Sequence, residues 1–560
     1  MGLFIRITTA LMTLILPGSI LGEDEDQLRQ INYLIHHGEV DLAIDYYQAW
    51  YESHREHQFE VLQNIGLGLL RQGWQTHDPE IQLLTLFGAG ISQHDKTLEI
   101  LIEGLQSHIP QLQLVSLNFL AQRHHDEADK ALNMALQSPF LPIQLEAAFY
   151  LAQNHDDKGI HFAETLLYKL DPMIRPVFPK IFASAATPGA TRILHRLLND
   201  PSAEVRIEAI NSVAQFGRDD FLPKLRRLAK QHHAAQQEAC AFALGVLSDE
   251  EAFQILQKLS QSKIPNIQLA ASYALIQLGS EEFKEIIKER ALEGNIFAIS
   301  LLGKCEGSEE FLFPFCQSQD LNIRLNASLA LLERQDDRCL KGLEEILIRD
   351  AKDFAFVQTQ TPGGTLHAWR VVPSASQNLK DHPLALELST RMRETCLIKA
   401  IELSEPAFIH LMCKVFETYQ AELIPMATTL LENKQSDVSI GLLNKFQHML
   451  GAPLARYYCT LALYRLERPG EHYTTLLRWI AQKQHIDLIR FRPFVPLDKR
   501  HAKTPFDLTP EETSRLLIET FEAFANKHND EGIFALINAI KHGNIKNRYA
   551  LAGLLIRTIQ

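Results

Sequence analysis

The chain of 560 residues carries 23 histidines, 7 cysteines and 68 acidic side chains, the groups from which a metal site, a thiol centre or an acid–base pair would be built. Spacing decides whether they are. His124-His125-Asp126 and His232-His233 set two imidazoles next to each other, but only helical residues three or four apart share a face. No second histidine pair recurs at the spacing of metal ligands. Glu250-Glu251 and Glu309-Glu310 precede apolar helical stretches, where negative charge suits the start of a helix. Cys240, Cys305, Cys316, Cys339, Cys396, Cys413 and Cys459 are odd in number and include no C-x-x-C pair. They read as small buried hydrophobes rather than a disulfide framework. There is no G-x-S-x-G elbow, no H-E-x-x-H helix, no G-x-x-x-x-G-K-S/T loop and no G-x-G-x-x-G after a strand. Gly66-Leu-Gly68 and Gly88-Ala-Gly90 sit in apolar helical stretches, where close packing accounts for them. The expectation is a protein with no catalytic residue, no metal and no cofactor.

The elements that would have to position any site repeat along the chain. An apolar residue, often followed by Gln or Arg, recurs at Ile81, Leu112, Ile143, Ile174, Val205, Ala235, Ile267, Ile296 and Ile323, at spacings of 31, 31, 31, 31, 30, 32, 29 and 27. Four residues after each anchor the side chain is small in all but one case: Thr85, Ser116, Ala147, Phe178, Ala209, Ala239, Ala271, Ser300 and Ala327. Eight residues after it the side chain is apolar except at Lys304. These positions share one helical face. A second phase, at Asp95, Asp126, Asp156, Thr187, Asp219, Asp249, Ser280, Ser308 and Asp336, falls where a second helix needs an N-cap oxygen. Each unit is therefore expected to be a pair of helices of roughly 12 residues each. Neither helix can bury its apolar face alone, so the units must stack: an all-α solenoid of antiparallel helix pairs.

The clearest unit, Leu198-Asn-Asp200-Pro201-Ser-Ala-Glu-Val205-Arg206-Ile-Glu-Ala209, with Val213 and Gly217, resembles the HEAT repeat in the short form of bacterial HEAT-like and phycobilisome-lyase-like proteins. The resemblance spans Asp78–Asp337 and implies an inter-repeat ladder between the acid and the arginine six residues on, here Asp200 and Arg206. It also implies that Gln82, Gln113, Gln144, Arg175, Arg206 and Gln268 begin the row lining the inner side, in mostly structural roles. Gln replaces Arg in four of these units, so part of the ladder is expected to be uncharged amide bonding. Pro172, Pro176 and Pro179 crowd the Ile174 unit and predict a bend there.

Outside the array the pattern loosens. The chain divides into a signal peptide (1–22), an N-terminal helical cap (23–77), the repeat array (78–350), a loop or β-hairpin insertion (351–384), degenerate HEAT-like helices (385–484), a Pro/basic loop (485–508) and a C-terminal helical cap (509–560). Pro362-Gly363-Gly364 and the alternation through Trp369 mark the hairpin. Thr509-Pro510-Glu511-Glu512 is a capping box. The candidate partner contacts lie in the two insertions: Trp369, Arg370, Arg490, Phe491, Arg492 and Arg500. Arg6, the uncharged run Ile7–Leu16, Pro17-Gly18 and the abrupt acidic start at Glu23 have the layout of a secretory signal cut near Gly22, which points to a periplasmic or secreted protein. The cysteine pattern argues against an oxidising destination, and export that leaves thiols reduced reconciles the two. If the N-terminus were retained, the protein would be cytoplasmic. No apolar run is long enough to span a bilayer as a helix.

A net charge of −13 disfavours a general nucleic-acid coat. The reading is a non-enzymatic, exported protein-binding scaffold. Its alternatives are a lyase or chromophore-binding protein of the phycobilisome-lyase kind, a nucleic-acid-binding HEAT protein, or a purely structural envelope component.

Overall fold

The computed structural model describes residues 20–123, 125–348, 354–373, 385–485 and 508–558. The described chain forms two compact units. One comprises residues 20–101, 484–485 and 521–558, and the other 102–483 and 508–520.

The first unit begins with α1 (Ile20–His36), α2 (Val40–His54), α3 (Phe59–Trp74), α4 (Pro79–Ile91) and the first residues of α5 (Leu98–Leu105). The second unit then carries α6 (Pro110–Leu120), α7 (Asp126–Ala135), α8 (Leu141–Gln153), α9 (Asp157–Lys169), α10 (Phe178–Ala185) and α11 (Pro188–Leu197). It continues through α12 (Ala203–Gln215), α13 (Leu222–Leu228), α14 (Ala234–Val246), α15 (Phe253–Leu259), α16 (Pro265–Gln277) and α17 (Lys284–Leu292). Next come α18 (Ile296–Leu302), α19 (Glu309–Leu312), α20 (Leu321–Glu333) and α21 (Leu340–Ile348). A hairpin of β1 (Phe354–Gln360) and β2 (His367–Pro373) follows, then α22 (Ala385–Ala400), α23 (Glu405–Glu417), α24 (Ile424–Lys434), α25 (Asp437–Phe446), α26 (Pro453–Arg465) and α27 (His472–Lys483). The chain ends with α28 (Pro510–Asn526), α29 (Asp530–His542) and α30 (Asn547–Arg557).

Within the second unit the even-numbered helices from α6 to α20 are the anchor helices; from α6 to α16 each packs on the next, α17 packs on both α16 and α18, and α18 packs on α20. The two sequence columns explain why. Ser116, Ala147, Phe178, Ala209, Ala239, Ala271 and Ala327 are fully buried, as are Leu120, Leu151, Phe182, Val213, Ala243, Leu275 and Leu331 eight residues beyond the anchors. Small side chains at the first column let neighbouring helices approach. The approach is closest at Gly245 and Gly303, where an added Cβ would stand 2.6 Å and 2.7 Å from the backbone of Ala274 and Ala330. The columns fail only at the Ile296 unit, where Ser300 is half-buried and Lys304 is exposed.

Three expectations are corrected. The partner helices are not uniform: α13 and α15 have 7 residues each and are entered through a 3-10 turn. The acidic and hydroxyl caps are fewer than the pattern implied. Asp156, Thr187 and Asp336 accept a main-chain N–H, but His94 and His125, one residue before Asp95 and Asp126, do the capping there. Asp249 bonds Arg226 Nε at 2.7 Å. The prolines of the Ile174 unit do more than bend a helix. Pro172–Val177 is a 3-10 segment and the α-helix begins only at Phe178, because Pro176 has no N–H to give an α-helical bond.

In the first unit the N-terminal and C-terminal helices meet. Its core joins both ends of the chain, with α30 packed against α3 and α4. Every residue of α30 from Asn547 to Ile556 is buried, and a helix apolar all round needs more neighbours than α29 can supply. Gly88 and Gly553 make the contact, backbone on backbone. Polar pairs surround it: Arg548–Asp41 at 2.6 Å, Lys541–Asp45 at 2.9 Å and Gln48–Asn538 at 2.6 Å. No helix among the described residues is long and apolar enough to cross a membrane.

Candidate functional site

In five of the nine repeats the residue following the anchor holds the turn before its helix. Gln82, Gln113, Gln144, Arg206 and Arg324 each donate to the main-chain carbonyl six residues earlier, that of Thr76, Ser107, Ser138, Asp200 and Ser318. The distances run from 2.5 Å to 2.9 Å. Gln and Arg are interchangeable here because both end in an N–H donor, and a carbonyl takes either. Links to the next repeat continue the row. Ser138 Oγ donates to Gln113 at 2.6 Å, and Arg206 Nε donates to Gln236 at 2.7 Å. The Asp200–Arg206 pair is thus not joined through the carboxylate. Arg206 takes the Asp200 carbonyl, while the Asp200 carboxylate lies 3.8 Å from Arg175 of the preceding unit. These side chains knit the turns together.

The hairpin lies on another face of the anchor helices. Its strands pair antiparallel from Phe354↔Pro373 to Gln360↔His367, within the 351–384 insertion. A strand edge leaves main-chain donors and acceptors open, and here helices close both edges. Asn326 of α20 accepts from Trp369 N–H at 2.9 Å and donates to Trp369 C=O at 2.8 Å, while Asn322 accepts from Val371 N–H at 2.8 Å. On the other edge Ser389 of α22 accepts from Phe356 N–H at 2.7 Å. Phe356, Leu366 and Ala368 are buried beneath, giving the base of the hairpin an apolar seat.

The tip is held differently. Glu238 of α14, 1% exposed, accepts from the Thr361 hydroxyl, from Thr365 Oγ1 at 2.8 Å and from Gly363 N–H at 3.1 Å. Asn211 of α12 donates to Gly363 C=O at 3.0 Å. Burial raises the Glu238 carboxyl above its usual value, and the hydrogen bonds from Thr361, Thr365 and Gly363 pull it back. Gly363 is required at this point, since a Cβ would stand 2.6 Å from the Glu238 carboxyl carbon. Gly364 turns the chain with φ of +69°.

Of the side chains singled out as partner contacts, Arg370 is exposed and Trp369 half-buried, its main chain clamped by Asn326. Arg490, Phe491, Arg492 and Arg500 lie outside the described residues. So does His124. His125 and His233 serve as helix caps, accepting from the N–H of Glu127 and Gln236. Among the described residues no three His, Cys, Asp or Glu side chains converge as metal ligands. Cys240, Cys305, Cys339, Cys396 and Cys459 are buried free thiols, and burial pushes Cys305 up to about 11 and Cys396 up to about 12. Glu238, Asn211, Asn322 and Asn326 were missed from sequence. Each sits on an anchor helix off the buried columns, but a polar residue there looks like any solvated surface residue until the hairpin is in place.

The hairpin divides this face in two. Counting from the anchor, the third residue on is Glu238, Ala270, Ile299 and Asn326 in α14 to α20, at most 1% exposed. The same position in the four preceding repeats holds Val115 and Glu146, half-buried, and Val177 and Glu208, exposed. Partial burial, and after it the charge of Glu204, raises the Glu208 carboxyl.

No protein-family model and no curated protein sequence matches the chain. Solved structures are similar to it at low identity. One is the CpcE–CpcF complex of phycocyanin lyase from Nostoc sp. PCC7120, 20% identical over 38% of this chain and 92% of that one, with a TM-score of 0.29. The karyopherin Kap121p bound to the extreme C-terminus of the phosphatase Cdc14p is 11% identical over 94% of this chain and 64% of that one, with a TM-score of 0.40. Importin beta is 12% identical over 96% and 77%, with a TM-score of 0.31. Tandem helix pairs at a near-constant period, small residues where anchor helices meet and, in five repeats, a side chain bonded back across the turn make this chain an all-α solenoid of stacked helix pairs.

Proposed function

We propose that the protein is a non-enzymatic scaffold that holds another polypeptide on the face of its anchor helices that carries the hairpin strap, working after export. The observation that carries this is the hairpin itself. Side chains of α12, α14, α20 and α22 hold it chiefly through its peptide groups, as a surface built to retain an extended chain would. The converging polar groups are bonded to N–H and C=O, which suits holding a chain rather than transforming one. The same face continues without such cover through α6 to α10 and as far as Glu208 of α12.

A photo-crosslinking residue at Asn118 or Tyr150, on that open stretch, is expected to trap a discrete protein in the native cell. The same residue at Lys130 of α7, away from the face, is expected to trap none. Equal trapping at all three positions sinks the reading. Export rests on Arg6, the Ile7–Leu16 run and the Pro17-Gly18 break. Sequencing the N-terminus of the cellular protein tests it: a start at Glu23 supports cleavage, and an intact Met1 refutes it.

A further inference from the structure

The open half of the strap-bearing face carries an apolar row whose spacing selects one kind of chain. Two residues after the anchors lie Leu114, Leu145, Pro176 and Ile207, one per repeat: Leu114 is 43% exposed, Leu145 and Pro176 are half-buried, and Ile207, 9% exposed, closes the row. Met173 and Val177, 88% and 51% exposed, flank the row at the unit where prolines replace a helical turn by a 3-10 segment. Glu204 and Glu208 stand exposed on α12 at the end of the row nearest the hairpin tip, with Glu146 half-buried on α8. The row runs up to Asn211 and Gly363, where the hairpin already occupies the continuation of the face.

Packed helices lie about 8–10 Å apart. A ligand crossing them must therefore present an apolar side chain at that interval. A β-strand returns to one face every two residues, roughly 6.7 Å. A polyproline II helix returns every three residues, about 9.3 Å, and brings little conformational entropy to lose. The carboxylates beside the row favour a cation at the intervening positions.

We propose that this row, continuous with the hairpin's seat, docks a polyproline II segment of a partner protein that carries an apolar residue at every third position and basic residues between them. This rests on the scaffold reading above and specifies its ligand.

The test uses the full chain and fluorescein-labelled peptides read by anisotropy: repeated Leu-Pro-Lys triplets, repeated Leu-Pro-Glu triplets, and an alternating peptide with Leu at every second position and Lys or Thr between, matched to the first in length and charge. The Leu-Pro-Lys peptide is expected to bind at least tenfold more tightly than either other peptide. The exposed double substitution Glu204→Gln/Glu208→Gln, and separately Leu114→Ser, are expected to weaken it by a similar factor. Equal binding of the alternating peptide, or undiminished binding by both variants, overturns the proposal. If no triplet peptide binds while crosslinking at Asn118 still traps a protein, this inference fails and the scaffold reading stands. If neither occurs, both fail.

Discussion

Replacing Gly553 by alanine should loosen the first unit and leave the repeats of α12 to α20 untouched. A Cβ on Gly553 would lie 2.0 Å from the Gly88 carbonyl oxygen, 2.7 Å from its carbon and 2.8 Å from its Cα. All three are backbone atoms of α4, so no rotamer change relieves the clash. Ordinary contact needs about 1.4 Å more, and opening the α4–α30 seam by that much loosens the packing of Tyr549, Leu551 and Leu555, each at most 6% exposed. Overpacked sites cost about 1–3 kcal/mol. With no flexible atom to yield, the upper end applies, about 3 kcal/mol, or roughly 6–12 °C in the melting of a unit this size. Gly88→Ala should behave alike, since its Cβ would stand 2.2 Å from the Tyr549 carbonyl. Calorimetry of the full chain, with hydrogen exchange to locate the loss, measures the effect. Gly441→Ala is the control: nothing lies within 4 Å of its Cβ on α25, so removing a helical glycine should gain about 0.5–1 kcal/mol. A Gly553→Ala protein that melts with the parent, or loses exchange protection in α12 to α20 as much as in α3 and α4, would refute the seam as the joint between the chain's ends.

Three more outcomes follow from the same geometry. Glu238→Ala leaves two hydroxyls and one N–H of the hairpin tip without an acceptor, at about 1–3 kcal/mol each if they stay buried. The tip should let go instead, and amide exchange at Gly363–Leu366 should rise on the order of tenfold or more while α16 keeps its protection. Gln113→Ala orphans the Ser107 carbonyl and the Ser138 hydroxyl, and should lower stability to urea by about 2 kcal/mol. His57, 4% exposed in the first unit, is bonded to the Tyr47 hydroxyl and the Asp530 carbonyl. Burial holds its pKa below the usual 6.5, against the opposing Asp530 contacts. The unfolded chain therefore takes up a proton that the folded ring refuses. The stability this ring confers is complete above about pH 6.5 and is lost as pH falls through that value towards the folded pKa. The parent should lose more melting temperature than His57→Gln between pH 7.5 and 5.5, and equal losses would contradict the buried neutral ring.

Much of the local design was legible in residue order. The period, the small and apolar columns and the capping box of Thr509 and Glu512, which do bond reciprocally at 2.9 Å and 3.2 Å, are encoded within a few turns of helix. The glycines at 66, 68 and 88 read as close packing, and each is crowded by a neighbouring chain segment. Nothing local, however, distinguishes Asp249 as an arginine's partner from Asp156 as a cap, because both precede a helix and only the side chain opposite decides.

Residue order by itself determined a stack of paired helices, since an amphipathic face recurring at a fixed interval can be buried only against its own copies. Folding in three dimensions decided what lies far apart in the chain: that α30 fills the seam of α3 and α4, and that a hairpin some 125 residues away seats its tip on Glu238. Such contacts leave no periodic trace. A buried apolar helix and a lone surface glutamate satisfy local rules equally well with many partners, and shape complementarity alone selects one.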